Sequence, residues 1–528
     1  MNISRPLKLI IIHYHLRPGG IRRIIEQATP HLVAHFSERI DGVTLATGEP
    51  APAEWTSQFR KLLGETSLDC FIEPSFGYFA EQQVESGALR KQVQDGLKKL
   101  FADSTADNTL VWAHNLGLAR NLLLTAELHQ LCARRGITIA AHNHDWWFDN
   151  RWARWVEAQT YGFTTLRATS RAVFPNNLNT THIAINKADA RLLKKHFGKH
   201  AGWLPNLTDR AAKPSSEKIE KAKAWLDQCG IPQAPVWIVP CRMLRRKNVA
   251  EALLLARWLR PEAWVVSTGG ASSADEESYV REIKNAAQRR NWHLHLGILQ
   301  KAGPDKPSVD ELLAASEAVL LTSIQEGFGL PYIEAAAAGR PLIARSLPNV
   351  SPDLKQFGFK LPYLYEEIFI SPELFDWQAE RRRQEERFAE WRLRLPVRCR
   401  AWAGTPWLLS ATRPEPVPFS RLTLKAQLEV LSVNPDVARN ACAALNPFLE
   451  KWRLLASQNK LRKTPWPKSA ERWLGGAAYG KRFNQIIRAA ERQATLHPGD
   501  AALKAQSVFI RERLERKHLY PLLWTPKP

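Results

Sequence analysis

Short apolar runs alternate with segments of helical periodicity through the first two-thirds of this 528-residue chain, and that alternation restricts the possible folds more than any single motif does. Lys8 to His15 reads as a strand, Arg17-Pro-Gly-Gly20 as a turn, and Ile21 to about Val33 as a helix. Val43 to Ala46, Leu110 to Ala113, Thr138 to Ala141 and Thr181 to Ile185 read as further strands, separated by helical stretches. Such a series predicts a doubly wound parallel sheet, on which ligands gather beyond the carboxyl ends of the strands. Three polar clusters follow strands directly: Arg17 to Gly20, His114-Asn115 and His142-Asn-His-Asp145. Leu204-Pro-Asn206 and the polar run Thr208 to Glu217 read as a connection, after which the pattern restarts. Val236 to Val239, Ala263 to Ser267, His293 to Leu296 and Ala318 to Leu321 are its strands; Val249 to Leu259 and Glu277 to Arg290 are helices. Beyond about residue 366 the chain turns helical and charged. The expected division is 1–205 and 206–365 as two α/β domains, with 366–528 as a mainly helical, basic extension.

The second series ends on Ser323-Ile-Gln-Glu-Gly-Phe-Gly-Leu-Pro-Tyr-Ile-Glu-Ala-Ala-Ala-Ala-Gly-Arg-Pro341. The apolar run before it is a buried strand. Pro331 suits the first turn of a helix, and Gly339 with Pro341 stops it. The glycines of Glu326-Gly327-Phe328-Gly329 let backbone N–H groups approach a ligand closely. A helix N-terminus carries roughly +0.5 of a charge and unpaired donors, so it suits a phosphate. Glu326 and Glu334, one before the helix and one expected in its first turn, do not suit a bare phosphate. They suit a phosphate attached to polyols, whose vicinal hydroxyls donate to carboxylates. The implied ligand is a nucleotide sugar.

This segment resembles the Glu-x7-Glu signature of retaining glycosyltransferases of family 4. The resemblance implies the GT-B fold, two doubly wound Rossmann-like domains facing a cleft, here with a helical C-terminal extension. It implies that Glu326 contacts hydroxyls of the transferred sugar and Glu334 the nucleotide ribose. Gly327, Phe328, Gly329 and Leu330 then line the sugar and diphosphate, the first three through backbone N–H groups. Pro240-Cys-Arg-Met-Leu-Arg-Arg-Lys-Asn248 resembles the family's Gly-Arg-x4-Lys-Gly element, with Arg242 and Lys247 in the matching positions. Cys241 and Asn248 stand where the family has glycines. A nucleotide sugar leaves a diphosphate whose charge grows as the glycosidic bond breaks, and two cations aimed at it lower the barrier. Arg245 and Arg246 are expected to face solvent.

In the first series, Gly19 and Gly20 occupy the position at which the family closes a glycine loop over the donor phosphates. His142-Asn-His144-Asp145 resembles the family's histidine loop, with His144 and Asp145 as the expected sugar contacts and His142 as the alternative register. No metal is assigned: the histidine spacing completes neither HExxH nor a two-histidine, one-carboxylate pattern, and His31 and His35, four apart on a helix, lack a third ligand. His114-Asn115 either lines the acceptor side or caps a helix. The cluster Trp146, Trp147, Trp152 and Trp155 is read as core more than as a sugar-stacking surface.

Several classes are excluded. No apolar run approaches the roughly 20 residues of a transmembrane helix. The sequence contains no D-x-D, no G-x4-G-K-[ST] and no G-x-S-x-G. The six cysteines are scattered without a CxxC, which fits a reducing cytoplasm. Net charge is +22, and residues 451–528 hold 17 Lys and Arg against five Asp and Glu. That basic region is expected to contact a polyanion or the anionic inner face of a membrane; no specific nucleic acid is expected. The expected activity is metal-independent, retaining transfer of a hexosyl group from a nucleoside-diphosphate sugar to a glycan, lipid, small polyol or acid, with no cofactor beyond the donor. The alternatives are a polyanion-binding protein on a non-catalytic GT-B scaffold, or a sugar-nucleotide epimerase or phosphorylase.

Overall fold

The computed structural model describes residues 6–208, 213–271, 273–301, 303, 305–493, 495–496 and 499–524. The chain forms two compact units. Unit 1 comprises Met1–Asp209, Arg394–Ala401 and Ser469–Arg513; unit 2 comprises Arg210–Leu393, Trp402–Lys468 and Leu514–Pro528. The connection read after Leu204 coincides with the boundary between them, although residues 209–212 of that run lie outside the described residues.

Unit 1 is built on seven strands: β1 (Leu7–Ile12), β2 (Ile40–Thr47), β3 (Ser67–Ile72), β4 (Thr109–His114), β5 (Thr138–Asn143), β6 (Thr180–Ala184) and β7 (Ala201–Trp203). Their order is β3-β2-β1-β4-β5-β6-β7, with every pair parallel. Strands covered on both faces read as unbroken apolar runs, and β4 and β6 are buried at every residue. Two strands escape the sequence pattern. β3 lies at the sheet edge with only Leu68 buried, so its sequence lacks the apolar run, and β7 is three residues long.

Unit 2 carries β8 (Val236–Val239), β9 (Trp264–Ser267), β10 (Leu294–His295), β11 (Ala318–Leu321), β12 (Leu342–Arg345) and β13 (Tyr363–Tyr365) in the order β10-β9-β8-β11-β12-β13, again all parallel. A two-stranded antiparallel ribbon, β14 (Phe369–Ile370) with β15 (Val417–Pro418), follows. Each large sheet starts with a central strand and runs outward one way before reversing. The reversal lies between β1 and β4 in unit 1 and between β8 and β11 in unit 2. These are the positions at which open α/β sheets leave a crevice for ligands.

Residues 366–528 are shared between the units, and their apolar side chains are built into the cores. In unit 1, Tyr479, Phe483 and Ile487 of the helix Gly476–Glu491 join the cluster under β1, β2 and β4. Phe509 packs on Trp146, Phe148 and Phe174, and all four tryptophans of the 146–155 cluster are buried, as core residues. In unit 2, Val430, Leu431, Trp452 and Leu522 join the core around the helix Val249–Leu259.

The helix Gly476–Glu491 crosses the helix Gly20–His35 closely. His31 and His35 stack with ring centroids 6.4 Å apart, and a Cβ on Gly480 would lie 2.3 Å from the His31 carbonyl oxygen. Backbone cannot retreat there as a flexible side chain could. Gly480→Ala is therefore expected to destabilise unit 1 by about 1–3 kcal/mol despite the better helix propensity of alanine. A lowered urea midpoint of the variant checks this, and an unchanged midpoint contradicts the close crossing.

Candidate functional site

Two loops of unit 2 converge at the β8/β11 reversal. The first, residues 240–248, leaves β8 and enters the helix Val249–Leu259; the second, residues 322–329, leaves β11 and enters the helix Leu330–Ala337. Main-chain bonds join them: the Ile324 N–H donates to the Arg246 carbonyl at 2.8 Å. The Thr322 hydroxyl donates to the carbonyls of Lys247 and Asn248 at 3.0 and 2.9 Å. The sequence elements that resembled glycosyltransferase motifs are thus physically continuous.

Lys247 Nζ donates to Glu326 Oε1, with both side chains about nine-tenths buried. Arg246 Nη1 donates to Glu326 Oε2 at 3.0 Å and to the Gln325 carbonyl at 2.9 Å. The expectation that Arg246 faces solvent is corrected: it is the second cation on Glu326. Arg245, also expected in solvent, pairs with Glu276 at 3.5 Å and donates to Ser278 at 3.3 Å. Burial raises the Glu326 pKa, but the charges of Lys247 and Arg246 outweigh it and bring the group down to about 2. Arg242, by contrast, is exposed, and no partner for its guanidinium is found among the described residues.

The departures from the glycine pattern have local explanations. Asn248 sits in the left-handed region at φ 47°, a conformation asparagine tolerates better than other non-glycine residues. Its side chain donates to Glu251 at 2.8 Å and accepts from Gln427 at 3.2 Å. Cys241 is buried, and burial pushes its thiol up to about 11, so it is an inert core thiol. On the second loop, Gly329 has φ 82°, and a Cβ there would strike Val350 at 2.7 Å and Tyr332 at 2.9 Å. The Tyr332 hydroxyl in turn anchors the following helix to the Arg345 carbonyl at 2.6 Å. Gly327 and Leu330 are half-buried and Phe328 is buried against Phe357. Glu334 is half-buried in the second turn of its helix, one turn later than expected.

Two glycines escaped the sequence reading. Gly269 and Gly270 follow β9, and the Gly269 N–H donates to the Cys241 carbonyl at 2.9 Å. A Cβ on Gly269 would lie 3.0 Å from Arg242 Cα, so this glycine lets the Arg242 loop lie flat. A Gly-Gly pair directly after a predicted strand, as in Arg17-Pro-Gly-Gly20, was the available signal.

Unit 1 presents its own cluster at the β1/β4 reversal. Gly19 and Gly20 are exposed; Gly19 is extended at φ 169°, and added Cβ atoms meet nothing closer than 3.8 Å. Neither glycine is required by the fold of unit 1. Arg17 beside them pairs with Glu49 at 2.6 Å and Glu81 at 2.9 Å. Asn115, left-handed at φ 57°, accepts from the backbone N–H of His144 at 2.7 Å and of Asp145 at 3.3 Å, and so holds the histidine loop. Asp145 pairs with Arg151 at 3.3 Å. His114 and His142 are neighbours in the β4–β5 register, and His114 Nδ1 lies 3.3 Å from His144 Nε2. Burial lowers the pKa of all three, to about 3 for His144, so these imidazoles are neutral at physiological pH. The sequence reading found no third ligand for His142 and His144; His114, 28 residues earlier, reaches them through the sheet.

Two Rossmann-like domains of this topology, each with its polar cluster at the reversal of strand order, define the GT-B class. Residues 226–354 match the family of glycosyl transferases group 1. The chain is 23% identical over 355 residues to mannosylglucosyl-3-phosphoglycerate synthase of Petrotoga mobilis, the alignment covering 66% of each. It thus spans just under two-thirds of that relative's length. It is 22% identical over 334 residues to mannosylglucosylglycerate synthase of the same organism, covering 58% of this chain and 74% of the relative. Among solved structures it is similar to the N-terminal domain of Candida albicans trehalose-6-phosphate phosphatase, with TM-score 0.51 and 11% identity over 91% of this chain and 96% of that one.

The sign of the Glu326 shift gives a test that needs no substrate. A carboxylate whose pKa falls from 4.5 to about 2 on folding stabilises the fold fully above pH 4.5, and loses that contribution as pH falls toward 2. Glu326→Gln is expected to lower stability at pH 7 by up to about 3 kcal/mol, with the deficit shrinking below pH 4.5. Urea midpoints of both proteins across this range check it; a pH-independent difference would show that the pair does not hold Glu326 ionised.

Proposed function

We propose that this chain transfers a hexosyl group from a nucleoside-diphosphate sugar to a small acidic acceptor, with retention of anomeric configuration. The observation that carries the reading is the joining of the 240–248 and 322–329 loops by Lys247, Arg246 and Glu326, with Arg242 exposed beside them. The acceptor class draws on the relatives: both are named as synthases of products in which mannose and glucose are carried on glycerate or phosphoglycerate.

In the reaction the bond between the anomeric carbon and the diphosphate oxygen breaks, and the electron pair leaves with the diphosphate. Arg242 and Lys247 neutralise that developing charge, Arg by a planar fork of donors and Lys by a compact ammonium. The acceptor hydroxyl attacks from the face the diphosphate leaves, and its proton passes to the departing phosphate oxygen. Glu326, kept ionised by two cations, accepts hydrogen bonds from hydroxyls of the transferred sugar, and Glu334 from the ribose. The backbone N–H groups of Gly327, Phe328 and Gly329 face the sugar and diphosphate, with Leu330 beside them. In unit 1 we assign the neutral His144, with Asp145, to sugar recognition, and the loop of Gly19 and Gly20 to acceptor and phosphate approach at that unit's own strand reversal. Two protein cations on the diphosphate do the work of the divalent ion that a D-x-D motif would otherwise hold.

Against the alternative reading of 451–528 as a polyanion-binding arm stands the burial of Trp452, Phe483, Phe509 and Leu522 of this region.

Transfer assays with UDP-, GDP- and ADP-hexoses and glycerate-type acceptors test the proposal. One donor is expected to turn over at a rate unaffected by added Mg²⁺ or Mn²⁺, with Lys247→Ala and Arg242→Ala each lowering kcat about 10²–10³-fold in folded protein. Undiminished transfer by both variants would overturn the assignment.

A further inference from the structure

We propose that His114, His142 and His144 form a three-histidine zinc site at the carboxyl edge of β4 and β5 in unit 1. The inference stands independently of the transferase reading. Among the described residues, these three are the one group of His, Cys, Asp or Glu placed to share a metal ion, with one nitrogen of each ring within 4.8 Å of the others.

Sheet geometry creates the cluster. Residues in register on adjacent parallel strands project from the same face, and so do residues two apart along a strand. His114 pairs with His142 in the register, and His144 follows His142 by two. Ring centroids of His142 and His144 are 4.4 Å apart, and those of His114 and His142 5.4 Å. Neutral imidazole is the form that binds zinc, at about 2.0–2.1 Å, so neighbouring nitrogens of a tetrahedral site lie ~3.3 Å apart. His114 Nδ1 and His144 Nε2 already have that separation, 3.3 Å. Rotation of the His142 ring closes the remainder.

The protein alone leaves the cluster poorly satisfied. His114 and His142 are fully buried, His144 is 8% exposed, and His114 Nε2 and His142 Nε2 have no hydrogen-bond partner. Three neutral imidazoles bring three N–H donors and three lone pairs. Their polar partners are one another, Trp112 Nε1, which donates to His142 Nδ1 at 3.4 Å, the long limit of a hydrogen bond, and the Leu204 backbone beside His142. A buried polar atom left unpaired costs about 1–3 kcal/mol; a cation bound at His142 Nε2 offsets that cost there, whereas His114 Nε2 keeps its proton when Nδ1 is the ligand. Three histidines leave one coordination position open. Coordination through His144 Nε2 would also fix its tautomer, leaving the proton on Nδ1.

The full-length chain is incubated with zinc or cobalt(II), desalted, and analysed for bound metal and visible absorption. About one equivalent of zinc per chain is expected, and the cobalt form is expected to show the intense d–d bands of a low-coordinate nitrogen site. His142→Gln is expected to bind at least about tenfold more weakly. His293→Gln, exposed in unit 2, is expected to bind as the parent does. Substoichiometric zinc in the unaltered chain overturns the proposal. So does a cobalt spectrum of the aqua-ion type, which needs no variant to fold, or equal binding by a folded His142→Gln protein.

Discussion

The ion pair between Lys247 and Glu326 is the contact on which the candidate site depends. It is made by two loops 79 residues apart in sequence, and it resolves a conflict within each. A lysine buried after β8 needs a counter-charge, and a carboxylate buried before the helix Leu330–Ala337 needs cations to stay ionised. Each loop supplies what the other lacks, and Arg246 adds a second cation to the same carboxylate. Glu326 is thereby electrostatically tied to both Lys247 and Arg246.

That contact is held from beneath by a buried network. Arg345 at the end of β12 meets Glu251 and Glu367, and the Tyr365 hydroxyl donates to Glu251 at 2.6 Å. Glu251 also accepts from Asn248, the last residue of the first loop, while the Arg345 carbonyl accepts from Tyr332 in the helix after the second. Both loops are therefore anchored to one ion cluster under the sheet edge. Buried ion pairs contribute little net stability, but removal of one member leaves an uncompensated charge. Such a network serves geometry better than it serves stability. In unit 1 the comparable function falls to Asn115, whose side chain orders the His144 loop from a left-handed backbone position.

Much of this was legible in the sequence because burial on both faces of a parallel sheet writes itself as apolar runs. Val236–Val239 and Ala318–Leu321 were read with their observed bounds, and the Arg242–Lys247 and Glu326–Glu334 elements fall at the strand ends where they were expected. What was not legible depends on long-range pairing. β3 is an exposed edge and carries no apolar signature. Arg246 looks like a surface charge until the second loop supplies its carboxylate. His114 looks like a lone residue until the β4–β5 register sets it beside His142. Residues 366–528 read as an appendage because their helices are charged, although one face of several is buried in the cores of both units.

The central claim is that Lys247 and Arg242 are the diphosphate-binding cations of a nucleotide-sugar site organised around Glu326. A crystal structure of the protein with a bound nucleoside diphosphate tests it most directly. The account predicts phosphate oxygens within hydrogen-bonding reach of Lys247 Nζ and the Arg242 guanidinium, beside the backbone of Gly327 to Gly329. A diphosphate seated elsewhere, with these two cations untouched, would contradict it.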